Sequence, residues 1–247
     1  MCVAIIVETE LSAATLEACE DANPHGGGLA WADGDTVRYR KGLRWREMAR
    51  IAATLPRPFL AHFRWATHGG VRDYLCHPFP LGARALTSRA VEGAAPAVLI
   101  HNGVWSDYLR WMPGGVEAER WSDTAVAAYA TEVVGEEILD HVGWSNAVAR
   151  ATGGGRLDIT ARGRWLDHTD GNVYSNLYWC RLVPRPVFKL EPAPPRPRPA
   201  QVTARTREAP PPRPRGPTRQ TSLIDEVDEW LATASARALM TPSPAKK

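Results

Sequence analysis

The cysteine at position 2 is a residue whose chemistry depends on where it stands. Removal of Met1 ahead of so small a side chain leaves Cys2 with a free α-amine, whose ordinary pKa of about 7.7–8.0 lies close to that of a thiol, about 8.5. One residue then carries both base and nucleophile. The amine takes the thiol proton, sulfur attacks a carbonyl to give a thioester, and the proton passes to the leaving amine. A second-position cysteine is equally at home as a small buried strand residue, so the assignment needs company.

Three segments supply what an amide-cleaving cysteine would lack. In "FRWATHGG" (63–70), Arg64 offers a planar fork for a carboxylate, while Thr67 and the glycines after it allow polar backbone contacts at a turn. In "LIHNGVW" (99–105), a β-run delivers the Asn102 amide beside the open N–H of Gly103, a workable oxyanion hole as well as a good hairpin turn. In "WSDT" (121–124), Asp123 opens a helix, where it can meet a cation or simply complement the helix dipole. A metal reading is weaker: His62, His68, Cys76, His77 and His101 are possible zinc donors, but no pair has a metal-ligand spacing. Cys2, Cys19, Cys76 and Cys180 contain no CxxC pair, which argues against a disulfide framework or zinc ribbon. No metal and no cofactor are expected.

The elements that must position these residues alternate between short β-rich runs and helical periodicity, which predicts a mixed α and β domain. Strands are predicted over 2–8, 28–32, 36–40, 59–66, 97–101, 156–161 and 173–179, and helices over 11–21, 45–54, 123–134 and 136–150. Ser122 can cap the third helix, and Gly135 separates it from the fourth. Ten tryptophans imply heavy aromatic packing, most of it in core or groove walls.

The chain has 247 residues, 44% hydrophobic and 23% charged, enough for one principal domain. Its longest apolar runs, 2–7 and 94–100, fall far short of the roughly 20 residues of a membrane span. No basic segment follows Met1, so a secretory signal is not expected and the cytoplasm is. The net charge of +3 conceals an uneven distribution. Residues 184–222 carry eight Arg and one Lys against two Glu, a net +7, and with the −1 of 223–247 set aside, residues 1–183 are left at −3. Nucleic-acid affinity, if present, would belong to the tail. The stretch 184–222 holds 12 of the 21 prolines and reads as an extended, disordered, partly polyproline II linker. Beyond it, Leu223, Val227, Trp230, Leu231 and Ala234 recur at helical spacing and predict a short amphipathic helix within 223–247.

The ordered set Met1-Cys2, "NPHGGGLAW" (23–31), "RWATHG" (64–69), "CHPF" (76–79), "HNG" (101–103), "SDT" (122–124) and "YSN" (174–176) resembles the class II glutamine amidotransferases, N-terminal nucleophile glutaminase domains. It covers nearly all of residues 2–180 and is most similar to short stand-alone members without a fused synthase. The resemblance implies an α+β fold, a four-layer αββα sandwich, in residues 1–183, with Cys2 at a central strand edge. It implies Cys2 as nucleophile, Asn102 and Gly103 as oxyanion holders, Arg64 as clamp for the α-carboxylate of glutamine, Trp65, Thr67 and His68 as pocket walls, and Asp123 as partner of the α-ammonium. His25 stands where stand-alone relatives commonly carry an acidic residue, and is left out of the catalytic set. The expected activity is hydrolysis of glutamine to glutamate and ammonia through a γ-glutamyl thioester. The ammonia would pass to a separate synthetase or other acceptor. Two alternatives remain at this stage: a γ-glutamyl amide hydrolase without ammonia transfer, and a retired scaffold binding a partner protein or nucleic acid through its Pro/Arg tail. No membrane partner is expected.

Overall fold

The computed structural model of the chain describes residues 2–117, 120–143 and 147–181. The described residues all lie in the first of two units, Met1–Phe188 and Lys189–Lys247. The linker expected over 184–222 and the helix expected within 223–247 lie outside the described residues.

Strand β1 (Val3–Val7) is apolar and buried at every position. Successive strand side chains point to opposite faces, so such a run suits a strand covered on both sides. Val3, Ile5 and Val7 share a core with helices α1 (Ala13–Ala22) and α2 (Trp45–Ala52), whereas Ala4 and Ile6 face a second core. The remaining strands of this sheet are β2 (Gly27–Asp33), β3 (Thr36–Leu43), β4 (Phe59–Phe63), β6 (Glu92–Ala95), β10 (Leu166–Asp167) and β11 (Val173–Tyr174). The order is β10-β11-β1-β4-β2-β3-β6, antiparallel throughout. A second antiparallel sheet runs β5 (Phe79–Pro80), β7 (Ala97–Asn102), β8 (Ala147–Thr152), β9 (Asp158–Gly163).

Three cores follow from the alternation. The one facing α1 and α2 takes Phe59, Ala61 and Phe63 of β4. A middle core joins Leu60, Ala30 and Val37 of the first sheet to Val98, Ile100, Ala149 and Ala151 of the second, so the sheets pack face to face. The third sets Leu99 and Val148 against Ala125, Val126 and Ala128 of α3 (Asp123–Val134) and Ile138, Leu139 and Val142 of α4 (Ile138–Gly143). Helix starts are locally specified: Ser12 and Ser122 each accept a backbone N–H three residues on.

The fold is thus a mixed α+β arrangement of antiparallel sheets and helices. The helix expected over 136–150 is not one element: α4 ends at Gly143 and Ala147–Thr152 is strand β8. Three alanines gave this stretch helical propensity, but pairing with both β7 and β9 and the need for small side chains between the sheets override it. Residues 173–179 contain only the two-residue β11 before a 3₁₀ turn at Tyr178–Arg181, and β4 stops at Phe63 instead of running to 66. Strands β5, β6 and β10, of two to four residues, are too short to show alternation in a sequence.

Candidate active site

The register of β1 against β4 brings the first site residues together. Val3 pairs with Phe63, so Cys2, one step before β1, meets Arg64 and Trp65, one and two steps past β4. The Trp65 N–H donates to Cys2 Sγ at 3.3 Å, and Sγ lies 3.5 Å from Trp65 O. Asn176 Nδ2 donates to Cys2 O at 2.7 Å, and Ser175 Oγ accepts from Ala4 N at 2.9 Å, so the "YSN" segment fixes the backbone that carries the thiol. Burial pushes the Cys2 thiol up, with the Trp65 amide and the Arg64 charge acting the other way.

Arg64 is 2% exposed, and its guanidinium donates to His68 O and Gly70 O, both at 2.7 Å. Gly69 and Gly70 sit at φ +74° and +73°, where a side chain is strained, and this lets the loop curl its carbonyls onto the guanidinium. Burial opposes the Arg64 charge, while Cys76, Cys2 and Asp123 favour it.

Asp123, the first residue of α3, accepts from Trp105 N and Thr124 N at 2.9 Å each. His101 Nδ1 lies 4.0 Å from Asp123 Oδ2 and 3.1 Å from Thr124 Oγ1. Burial lowers the His101 pKa more than Asp123 restores it, so this approach is a polar contact and not an ion pair. The rings of His62 and His77 lie 3.8 Å apart beside it, tilted by 37°; burial brings His62 down to about 3 and His77 well below its usual range.

Cys2, Arg64, Trp65, Thr67, His68, Gly103 and Asp123 line one narrow cleft, completed by His77, His101, Ser122 and Thr124. Asn102 is the expected site residue outside that lining: it ends β7, is 6% exposed, and its Oδ1 has no hydrogen-bond partner. His62 Nδ1 and His101 Nε2 are likewise buried without partners. Each such atom costs about 1–3 kcal/mol. Three of them, on β4 of one sheet and β7 of the other, mark a polar cluster between the sheets, where His62 Nε2 lies 3.1 Å from His101 O. The possible zinc donors do partly converge here, yet among the described residues no group of three His, Cys, Asp or Glu side chains could hold a metal ion. A roomier groove, lined by Trp31, Arg40, Glu47 and Arg50 among others, contains no thiol and none of the expected site residues.

No protein-family model matches the chain, and no curated protein does. Among solved structures it is similar to that of the allosteric regulatory enzyme of purine biosynthesis, at 17% identity and a TM-score of 0.44, over 74% of this chain and 43% of that one. The chain thus spans less than half the length of that enzyme chain. Among the described residues, no helix is long and apolar enough to cross a membrane.

Sequence reasoning missed two contributors. Asn176 lies in a segment singled out by resemblance, but its contact with Cys2 O joins residues 174 positions apart, which no local pattern encodes. His25, set aside at the sequence level, accepts the N–H of Ala66 at Nδ1, 2.9 Å away, and its ring lies 5.3 Å from that of Trp65. Chemically the cleft offers a thiol, a buried cation and a buried anion side by side. That is a set suited to a small zwitterion bearing an electrophilic carbon.

Proposed function

We propose that the protein is an amidohydrolase of the class II glutamine amidotransferase type, an N-terminal nucleophile hydrolase working in the cytoplasm. In this reading the two packed sheets and their flanking helices are the αββα sandwich of that class. The observation that carries it is the convergence of Cys2, Arg64, Gly103 and Asp123, from four separate segments, on one cleft.

Arg64 then takes the α-carboxylate of glutamine and Asp123 its α-ammonium, an arrangement of charges opposite to that of the amino acid. Trp65, Thr67 and His68 wall the side chain. With Met1 removed, the α-amine of Cys2 accepts the thiol proton and Sγ attacks the carboxamide carbon. The developing oxyanion is held by Gly103 N–H and the Asn102 amide. The C–N bond breaks, the amine returns the proton, and ammonia leaves for a separate acceptor. Water then cleaves the γ-glutamyl thioester. Burial raises the Cys2 thiol pKa, so an adjacent amine able to take its proton favours attack.

The test is covalent labelling with diazo-oxo-norleucine followed by intact-mass and peptide analysis. The expected result is loss of Met1, one adduct on Cys2, protection by glutamine, and neither adduct nor ammonia release in Cys2→Ala. An unlabelled Cys2, or labelling indifferent to glutamine, overturns the proposal.

A further inference from the structure

His25 lies in the segment between α1 and β2, away from the residues whose types suggest amide chemistry. Its contacts nonetheless converge on the strip that carries the candidate clamp. The His25 N–H donates to Arg64 O at 3.1 Å, and Arg64 N–H returns to Gly26 O at 2.9 Å, extending the β2–β4 pairing one step past Phe63. Beyond that point β4 has ended and no backbone carbonyl takes the next inward amide. The imidazole takes it instead, Nδ1 accepting from Ala66 N at 2.9 Å. The adjacent amide, that of Trp65, donates to Cys2 Sγ at 3.3 Å. The His25 carbonyl in turn accepts the Cys76 thiol at 3.4 Å, which ties its own backbone to the following segment.

From this geometry we infer that His25 is a positioning residue for the Cys2 site: its Nδ1 stands in for a strand partner and holds the 64–67 strip so that Trp65 N–H meets the thiol and Arg64 faces the cleft. The part of this that concerns glutamine turnover rests on the function proposed above. The part that concerns the Cys2 thiol does not. The role requires an acceptor at Nδ1, so the tautomer with its proton on Nε2 is the working one. The ring contact with Trp65 is secondary, because Trp65 is 44% exposed and its ring wall can be met by any flat side chain. A residue acting only by packing would be replaceable by an aromatic of similar shape; a residue acting as acceptor is replaceable by an amide.

Three full-length variants separate these roles. His25→Asn keeps an acceptor oxygen near the place of Nδ1, His25→Phe keeps the ring without the acceptor, and His25→Ala removes both. Two readouts are taken: the rate at which iodoacetamide alkylates Cys2, followed by peptide mass analysis, and kcat and KM for glutamine. Thermal melting reports integrity of the fold. We expect His25→Ala and His25→Phe to change the Cys2 alkylation rate at least threefold and lower kcat/KM about tenfold or more, with melting nearly unchanged, and His25→Asn to restore both to within about threefold. A fully active His25→Phe, or a His25→Asn as impaired as His25→Ala, overturns the inference. If the wild type itself releases no ammonia from glutamine, the proposed function fails, and the alkylation rates alone decide the role of His25. Variants that lose their melting transition are judged by His25→Asn alone, whose failure to restore alkylation again overturns it.

Discussion

Arg64 and Asn102 illustrate two ways a buried polar residue can be held. The Arg64 guanidinium already donates to two carbonyls, so its charge is oriented before any ligand arrives. Each charge-assisted bond to a ligand carboxylate is worth about 1.5–3 kcal/mol. Arg64→Ala is therefore expected to raise the KM for glutamine by roughly tenfold or more, with Arg64→Lys recovering little because an ammonium lacks the planar fork. An unchanged KM in steady-state assays would mean the clamp is misassigned. Asn102 is the reverse case, with a buried oxygen that bonds to nothing. Asn102→Ala should lower kcat at least about tenfold, while thermal melting stays close to wild type, since no native hydrogen bond of Oδ1 is lost. A variant that melts much earlier but turns over normally would place Asn102 in the scaffold.

At the scale of elements, the site depends on strands coming unusually close. A β-carbon added at Gly28 would lie 2.0 Å from His77 O and 2.8 Å from Arg40 O, both backbone atoms that no rotamer change can move. The "GGG" run thus opens β2 to the segment that carries His77 into the cleft. Gly28→Ala should destabilise by about 3 kcal/mol, at or beyond the upper end of ordinary overpacking. Gly114→Ala, where an added carbon meets nothing within 4 Å, should leave stability unchanged. Denaturant titration of the pair checks both, and equal midpoints would contradict the close approach. The same scale explains which elements were legible. The cap of α3 and the continuous apolar run of β1 are local signals, whereas β8 owes its form to two neighbours.

Across the whole molecule, the cost of the polar cluster appears as a pH dependence. Burial brings folded His62 down to about 3 from an ordinary 6.5, and His77 and His101 shift in the same direction. The unfolded chain therefore binds more protons between those limits, and stability falls as pH drops below about 6.5. His62 alone contributes about 1.4 kcal/mol per pH unit through that window. Urea unfolding at pH 5 should thus yield a free energy at least about 2 kcal/mol below that at pH 7. Equal values would show that these imidazoles are solvated or charged in the native protein.

The sequence by itself determined the local parts: the helix cap at Ser122, the apolar strand after Cys2, and residue types able to attack, clamp and stabilise an amide. These were readable because a side chain's chemistry and a short period of hydrophobicity are written in consecutive positions. Only the tertiary structure decided that β4 ends at Phe63, that residues 147–152 form a strand, that Asn102 stands outside the cleft lining, and that Asn176 and His25 bond to the main chain at Cys2 and Ala66. Those outcomes rest on strand pairing and on backbone hydrogen bonds such as those 41 and 174 positions apart that His25 and Asn176 make, and a bond to a main-chain N–H or C=O leaves no mark on the identity of its partner.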